Sequence, residues 1–179
     1  MNRLFFHIVF LAVALSATAL DLPEIIGSNM MLQQQTEAKL WGWATPGSSV
    51  SVTTSWSNLA YSVAADAKSG RWELKVPTPA ASYNTYSISI TGDGVTKVLD
   101  NILIGEVWFC SGQSNMEMPL GGFWNCPVEG SNEAIATSGK YKQSIRVATI
   151  SRADPLTPAD KVQGKWEICE PCNASRFSA

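Results

Sequence analysis

Ile102-Leu103-Ile104-Gly105-Glu106-Val107-Trp108-Phe109-Cys110 is nearly continuously apolar, and it divides the chain into two parts with different patterning. A run of this kind predicts a strand buried on both faces, as in a parallel sheet covered from either side. Upstream, from Leu22 to about Asn101, the apolar residues alternate with polar ones. Val50 and Val52 stand among Ser49, Ser51 and Thr53, and Ile88 and Ile90 among Ser87, Ser89 and Thr91. Such alternation marks strands with one buried face. Ala38–Trp43, Ser49–Thr54, Tyr61–Ala65, Arg71–Val76, Tyr86–Thr91 and Thr96–Leu99 read as strands. They are separated by turn residues at Thr45-Pro46-Gly47-Ser48, Lys68-Ser69-Gly70, Pro77–Pro79 and Gly92-Asp93-Gly94. This spacing, with no helical period between the strands, predicts a small antiparallel β-sandwich over residues 20–101. Trp41 and Trp43 share strand parity and therefore one face. That fits a sugar-stacking platform, although core packing is the commoner use of Trp41, Trp43, Trp56 and Trp72 in a small sandwich.

Downstream, Ser131–Tyr141 reads as a helix capped by Ser131 with Glu133 in its first turns. Ile145–Ile150 reads as a strand, Asp154-Pro155 and Thr157-Pro158 as an irregular connection, and Lys165–Cys169 as a short strand. Residues 102–179 are thus α/β in character, but short for a doubly wound domain.

At the other end, Arg3 precedes an apolar run, Leu4–Leu15, interrupted only by His7, and Ser16-Ala17-Thr18-Ala19 closes it with small residues. This is the three-part pattern of a secretory leader over residues 1–19. The run is too short to span a bilayer, which takes roughly 20 apolar residues. The expected location is secreted, periplasmic or lumenal, with no membrane span once the leader is removed. Removing it takes away one basic residue, so the formal charge moves from −2 to −3. A mildly acidic chain without a basic stripe argues against nucleic acid as a partner. Export permits disulfides among Cys110, Cys126, Cys169 and Cys172, and four cysteines allow three pairings. Cys169 and Cys172 have C-x-x-C spacing; with no second ligand pair, a structural disulfide or free thiols suit them better than a metal. Asn173-Ala174-Ser175 is a formal glycosylation sequon.

Catalytic patterning is confined to Cys110-Ser111-Gly112-Gln113-Ser114-Asn115-Met116-Glu117-Met118, directly after the apolar run. A nucleophilic serine needs an exposed hydroxyl where backbone N–H groups converge. The turn at a strand's C-terminal end supplies that, and Gly112 removes a side chain that would obstruct it. A helical turn opening after Ser114 would aim free N–H groups at a developing oxyanion. The layout matches the first half of a G-x-S-x-G elbow, with Met116 where the second glycine would stand. On pattern alone, Ser111 and Ser114 serve equally well as helix caps. Gln113 and Asn115 suit substrate contact or side-chain bonds that hold the turn. Glu117 reads as a solvated first-turn carboxylate rather than a substitute base.

Gly105-Glu106-Val107-Trp108 followed by Cys110 to Met116 closely resembles the first sequence block of the sialate O-acetylesterase family, one of the SGNH (GDSL-like) hydrolases. Asn29-Met30-Met31-Leu32-Gln33, Trp41 to Gly47, and Asp66 through Gly70-Arg71-Trp72 resemble that family's N-terminal β-domain. The resemblance implies a β-sandwich N-terminal domain followed by the start of an SGNH-type, flavodoxin-like α/β hydrolase domain, truncated within residues 102–179. It implies acyl-ester hydrolysis without a cofactor, with Ser114 as nucleophile and its own N–H as one oxyanion donor. Gly112, Gln113 and Asn115 would support that turn. The family's remaining donors, and a histidine base in an Asp-x-x-His block, come later in its members. The only histidine here is His7, so a fragment lacking its base, inactive alone, is expected. The implied partner is an O-acetylated sugar or glycan, with O-acetylated sialic acid the leading substrate and acetylated xylan-type polysaccharide the alternative. A secreted carbohydrate-binding β-sandwich is the non-enzyme alternative, but it has no need of the Gly-Gln-Ser-Asn-Met block.

Overall fold

Val50, Val52, Ile88 and Ile90, the apolar members of the two alternating segments, are fully buried. The strands that carry them pair directly, with Val52 opposite Ile90. The computed structural model describes residues 20–152 and 159–178. In chain order the strands are β1 (Met31–Gln33), β2 (Glu37–Trp43), β3 (Ser49–Thr54), β4 (Ala60–Ala64), β5 (Arg71–Pro77), β6 (Ser82–Gly92) and β7 (Val95–Gly105). After them come helix α1 (Ser114–Glu117), helix α2 (Ser131–Thr137) with a 3-10 turn over Ser138–Tyr141, strands β8 (Arg146–Ala148) and β9 (Trp166–Ile168), and helix α3 (Pro171–Ala174).

Five strands form one sheet in the order β1-β7-β6-β3-β4, and β2 pairs with β5 alone. The β1–β7 pairing is parallel and the others are antiparallel. The fold is therefore a mixed, curled sheet with few helices. Both sheets contribute to one apolar cluster: Leu40 from β2, Trp72 and Val76 from β5, and Val50, Ile88, Ile90, Ile102 and Ile104 from the larger sheet. Gly42 lets the N-terminal segment close on β2, where Asp21 and Trp43 exchange backbone hydrogen bonds of 2.8 and 2.9 Å. A methyl group at Gly42 would collide with the Asp21 carbonyl oxygen, and it would approach Trp72 Cζ2 to 3.0 Å. Gly42→Ala is expected to cost about 1–3 kcal/mol through overpacking, seen as a lower denaturant midpoint.

The strand expected over Ile102–Cys110 ends at Gly105 and belongs to the first sheet, because β7 runs unbroken across Asn101. Burial on both faces holds only for three residues. Ile102 and Ile104 enter the main cluster, while Leu103, also buried, lines a cavity on the other face beneath β8 and β9. Val107, Trp108 and Phe109 are exposed. Asn101 sits at positive φ where the β6–β7 register shifts, and its amide donates to Asn29 Oδ1 at 2.7 Å. The buried Arg146 of β8 donates to Asn101 Oδ1 at 3.0 Å and to the carbonyls of Lys142 and Ile145. Gly130, at φ 73°, precedes α2, so Ser131 is the first helical residue and is buried rather than acting as the cap. The strand expected at Ile145–Ile150 shortens to β8.

All four cysteines are free thiols, Cys169 buried and the others exposed. Burial pushes the Cys169 thiol above its ordinary range. The leader at residues 1–19, with His7, and the connection at Asp154-Pro155 and Thr157-Pro158 lie outside the described residues. Among the described residues, no helix is long and apolar enough to cross a membrane.

Candidate active site

The path to Ser114 starts where β1 and β7 run side by side, with Gln33 opposite Gly105. The Gln34 N–H donates to the Gly105 carbonyl at 2.8 Å. Glu106 then accepts from Gln33 Nε2 at 3.0 Å and from Gln34 Nε2 at 2.6 Å. The other end of the Gln33 amide accepts the Val107 N–H at 2.8 Å, and Gln34 Oε1 accepts the Ala81 N–H. Two segments far apart in sequence, Met31–Gln34 and Gly105–Val107, are thereby locked together at the root of the serine loop. Gln34 was not singled out in the sequence; the signal for it was its adjacency to the Asn-Met-Met-Leu-Gln segment.

Hydrogen bonds from Gln33 and then Gln34 hold the Glu106 carboxyl below the usual glutamate range. A carboxylate whose pKa is depressed by folding adds stability that is complete above its unfolded value, about 4.3, and is lost as pH falls through the folded value. The stability gap between the parent chain and Glu106→Gln should therefore be open at pH 7 and close on acidification below about pH 4. Thermal melts across that range measure it, and a gap constant from pH 7 to 3 contradicts the arrangement.

Beyond Val107 the backbone is irregular until Gln113, which is extended, and Ser114 opens α1 as its first residue. Ser114 is exposed, and its hydroxyl has no hydrogen-bond partner among the described residues. The Met116 N–H closes the turn onto the Gln113 carbonyl at 3.0 Å. A Cβ on Gly112 would sit 2.6 Å from Met116 Cγ, so glycine is what lets the Met116 side chain fold back under the turn. Gln113 and Asn115 are exposed, and their amides make no bonds that hold the turn. That leaves both facing solvent beside Ser114. Glu117 is ion-paired with Arg152, both largely exposed. No described histidine stands near Ser114, and among the described residues no three His, Cys, Asp or Glu side chains gather as metal ligands.

A cavity of about 760 Å³ flanks the same loop, lined by Leu103, Glu106, Trp108, Cys110, Arg146 and Phe177 among others. Ser114 is not part of its wall. Trp108, Phe109 and Trp124 are each more than four-fifths exposed. At the sequon, Asn173 lies in α3, and its Nδ2 donates to the Ile168 carbonyl at 3.0 Å. A glycan on that nitrogen would displace the bond. Cys172, in the same helix, is exposed and unbonded to Cys169.

No protein-family model matches the chain. It is 30% identical to the sialate O-acetylesterases of Pongo abelii and Homo sapiens over 134 residues, which cover 70% of this chain and 24% of theirs. It is 28% identical to that of Mus musculus over 142 residues, covering 75% and 26%. The chain thus spans about a quarter of the length of the curated relatives it matches. A crystal structure of a carbohydrate acetylesterase from Xanthomonas citri superposes with a TM-score of 0.78 at 27% identity, covering 90% of this chain and 35% of that one.

Proposed function

We propose, from the premise that this chain belongs to a sialate O-acetylesterase-like esterase family, that it carries the nucleophile of an enzyme hydrolysing acetyl esters on sugars. The observation that carries this is the placement of Ser114. Its hydroxyl is free and exposed at the opening of a helical turn, with Gly112, whose missing side chain lets Met116 fold back, before it and the exposed amides of Gln113 and Asn115 on either side.

The chemistry is acyl transfer. Ser114 Oγ attacks the acetyl carbonyl and gives its proton to a base. The sugar hydroxyl leaves with a proton, and water then releases acetate from the acyl-serine. The Ser114 N–H is one donor to the oxyanion, and Gln113 and Asn115 lie where they can meet the sugar or the carbonyl oxygen. The base and the other oxyanion donors come, on this reading, from outside residues 20–178, since the sequence has no histidine but His7. The substrate is an O-acetylated sugar, with O-acetylated sialic acid first in order. Residues 1–19 act as an export leader, which places the enzyme in a secreted, periplasmic or lumenal compartment. The region through β7, to Gly105 rather than to Asn101, serves as a β-sandwich domain, and the remainder opens an SGNH-type, flavodoxin-like hydrolase domain.

The test compares residues 20–179 with a polypeptide continued along the reading frame to the length of the curated relatives. On p-nitrophenyl acetate and O-acetylated sialic acid, the short chain should show no serine-dependent acetate release and the long one should turn over. Robust turnover by the short chain would place the base within these residues and contradict the reading.

A further inference from the structure

The outer face of the β2–β5 ladder is the feature that the serine chemistry leaves unused. Its inner residues, Leu40, Trp72 and Val76, fill the core. Outward it presents Lys39, Trp41 and Trp43 from β2 beside Arg71, Glu73 and Lys75 from β5, with Trp43 opposite Arg71 and Trp41 opposite Glu73. Both tryptophans are half-buried, Trp41 also touching the core cluster, and they stand two positions apart on the same side of a strand, so their Cα atoms are roughly 7 Å apart. The polar groups between them are already oriented. Arg71 is bound to Glu73 at 2.9 Å, and Glu73 to Lys39 at 3.0 Å.

A short strap lies across this face. The Asp160 carboxylate takes Arg71 Nε at 2.7 Å and Nη2 at 3.4 Å, and the Asp160 carbonyl accepts the Trp41 indole N–H at 3.2 Å. Lys161 Nζ sits 4.5 Å above the Trp43 ring and is bound to Asp21 at 2.7 Å. The side chains of Lys161, Asp160 and Asp21 are about half to two-thirds exposed. Ion pairs this wet contribute little to stability, and a cation over an exposed ring adds only modestly. The strap is therefore a cover that a ligand can displace.

We propose that this face is a carbohydrate-binding site separate from the serine loop, taking a neutral oligosaccharide in place of the Asp160-Lys161 strap. Each contact the strap makes has a sugar equivalent. The C–H face of a pyranose replaces the ammonium over Trp43, a hydroxyl oxygen replaces the Asp160 carbonyl at the Trp41 N–H, and further hydroxyls meet the Arg71 fork and the Glu73 carboxylate. The charges on and around the face nearly balance: Lys39, Arg71, Lys75 and Lys161, with Lys97 near Asp21, against Asp21, Glu37, Glu73 and Asp160. That balance selects neither a polyanion nor a polycation and points to an uncharged ligand. No residue of the site belongs to the serine loop, so the esterase reading and this one can fail independently.

The test is calorimetric and fluorescence titration of the 179-residue chain with xylohexaose and cellohexaose, with an acidic tetragalacturonate as control. Saturable binding of a neutral hexaose is expected, with tetragalacturonate weaker. Trp43→Ala should weaken binding by about tenfold or more, a change of 1.4 kcal/mol per decade, in a variant that still unfolds cooperatively though at a lower melting temperature, while Trp43→Phe, which keeps an aromatic face, should retain most of the binding. Lys161→Ala, a surface change that removes the ammonium over Trp43 and leaves the Asp160 contacts, should tighten binding about threefold. No saturable binding by either the parent or Lys161→Ala overturns the proposal. So does Trp43→Ala binding as well as the parent, or Lys161→Ala binding more weakly; the last would make the strap part of a fixed structure rather than a displaceable cover.

Discussion

Ser114→Ala, in the polypeptide continued to the relatives' length, is expected to lose acetate release by a factor on the order of 10⁶, the loss seen when the serine nucleophile is removed from a complete triad. The melting temperature should barely move. The hydroxyl is exposed and makes no hydrogen bond to a described residue, so deleting it removes no interaction that holds the fold. The paired outcome separates chemistry from structure: a large fall in kcat with intact folding belongs to a nucleophile, whereas a capping serine would cost stability and leave turnover intact. The same substitution in residues 20–179 should change nothing measurable in acetate release, since the proposed mechanism takes its base from outside these residues.

Trp72→Ala should be the most damaging single change to folding, at about 3–5 kcal/mol, the range for truncating a buried aromatic side chain. Trp72 is 1% exposed and the largest of the fully buried side chains, at the point where the two-stranded ladder meets the larger sheet. Its indole Nε1 is buried without a hydrogen-bond partner. Trp72→Phe removes that orphaned donor while keeping most of the apolar contact. It should therefore cost well under half as much as Trp72→Ala. Urea denaturation of the three proteins measures the order, and a Phe variant as unstable as the Ala variant would contradict this view of the core.

The strands were legible where one face is buried and the other wet. Ser49–Thr54 was read at its observed bounds, and the inward valines and isoleucines are the core residues that their alternation marked. The three-residue β1 was not legible, because its membership depends on parallel pairing with β7, some 70 residues later. The apolar run at Ile102–Cys110 was read as a single strand because hydrophobicity cannot distinguish a strand from an uncovered apolar loop. The chain stops pairing at Gly105, and nothing described covers Val107, Trp108 and Phe109. Ser131 looked like a cap because serine is a common one; the conformation that Gly130 adopts at φ 73° took that position. At the site, the Gly112–Ser114 spacing marked the turn. The glutamine pair that pins Glu106 was hidden, since it joins residues more than 70 positions apart. The Trp41–Trp43 face was visible as a pattern, but the strap over it was not.

The most direct test of Ser114 as the nucleophile is to treat the continued polypeptide with a fluorophosphonate that reacts covalently with activated serines, and to map the adduct by peptide mass spectrometry. The phosphonyl mass is expected on Ser114, in the peptide containing Gly112–Met116, and it should be absent from the Ser114→Ala variant and from residues 20–179. An adduct on Ser111 or any other serine, or a fully active long chain that carries no adduct on Ser114, would contradict the assignment.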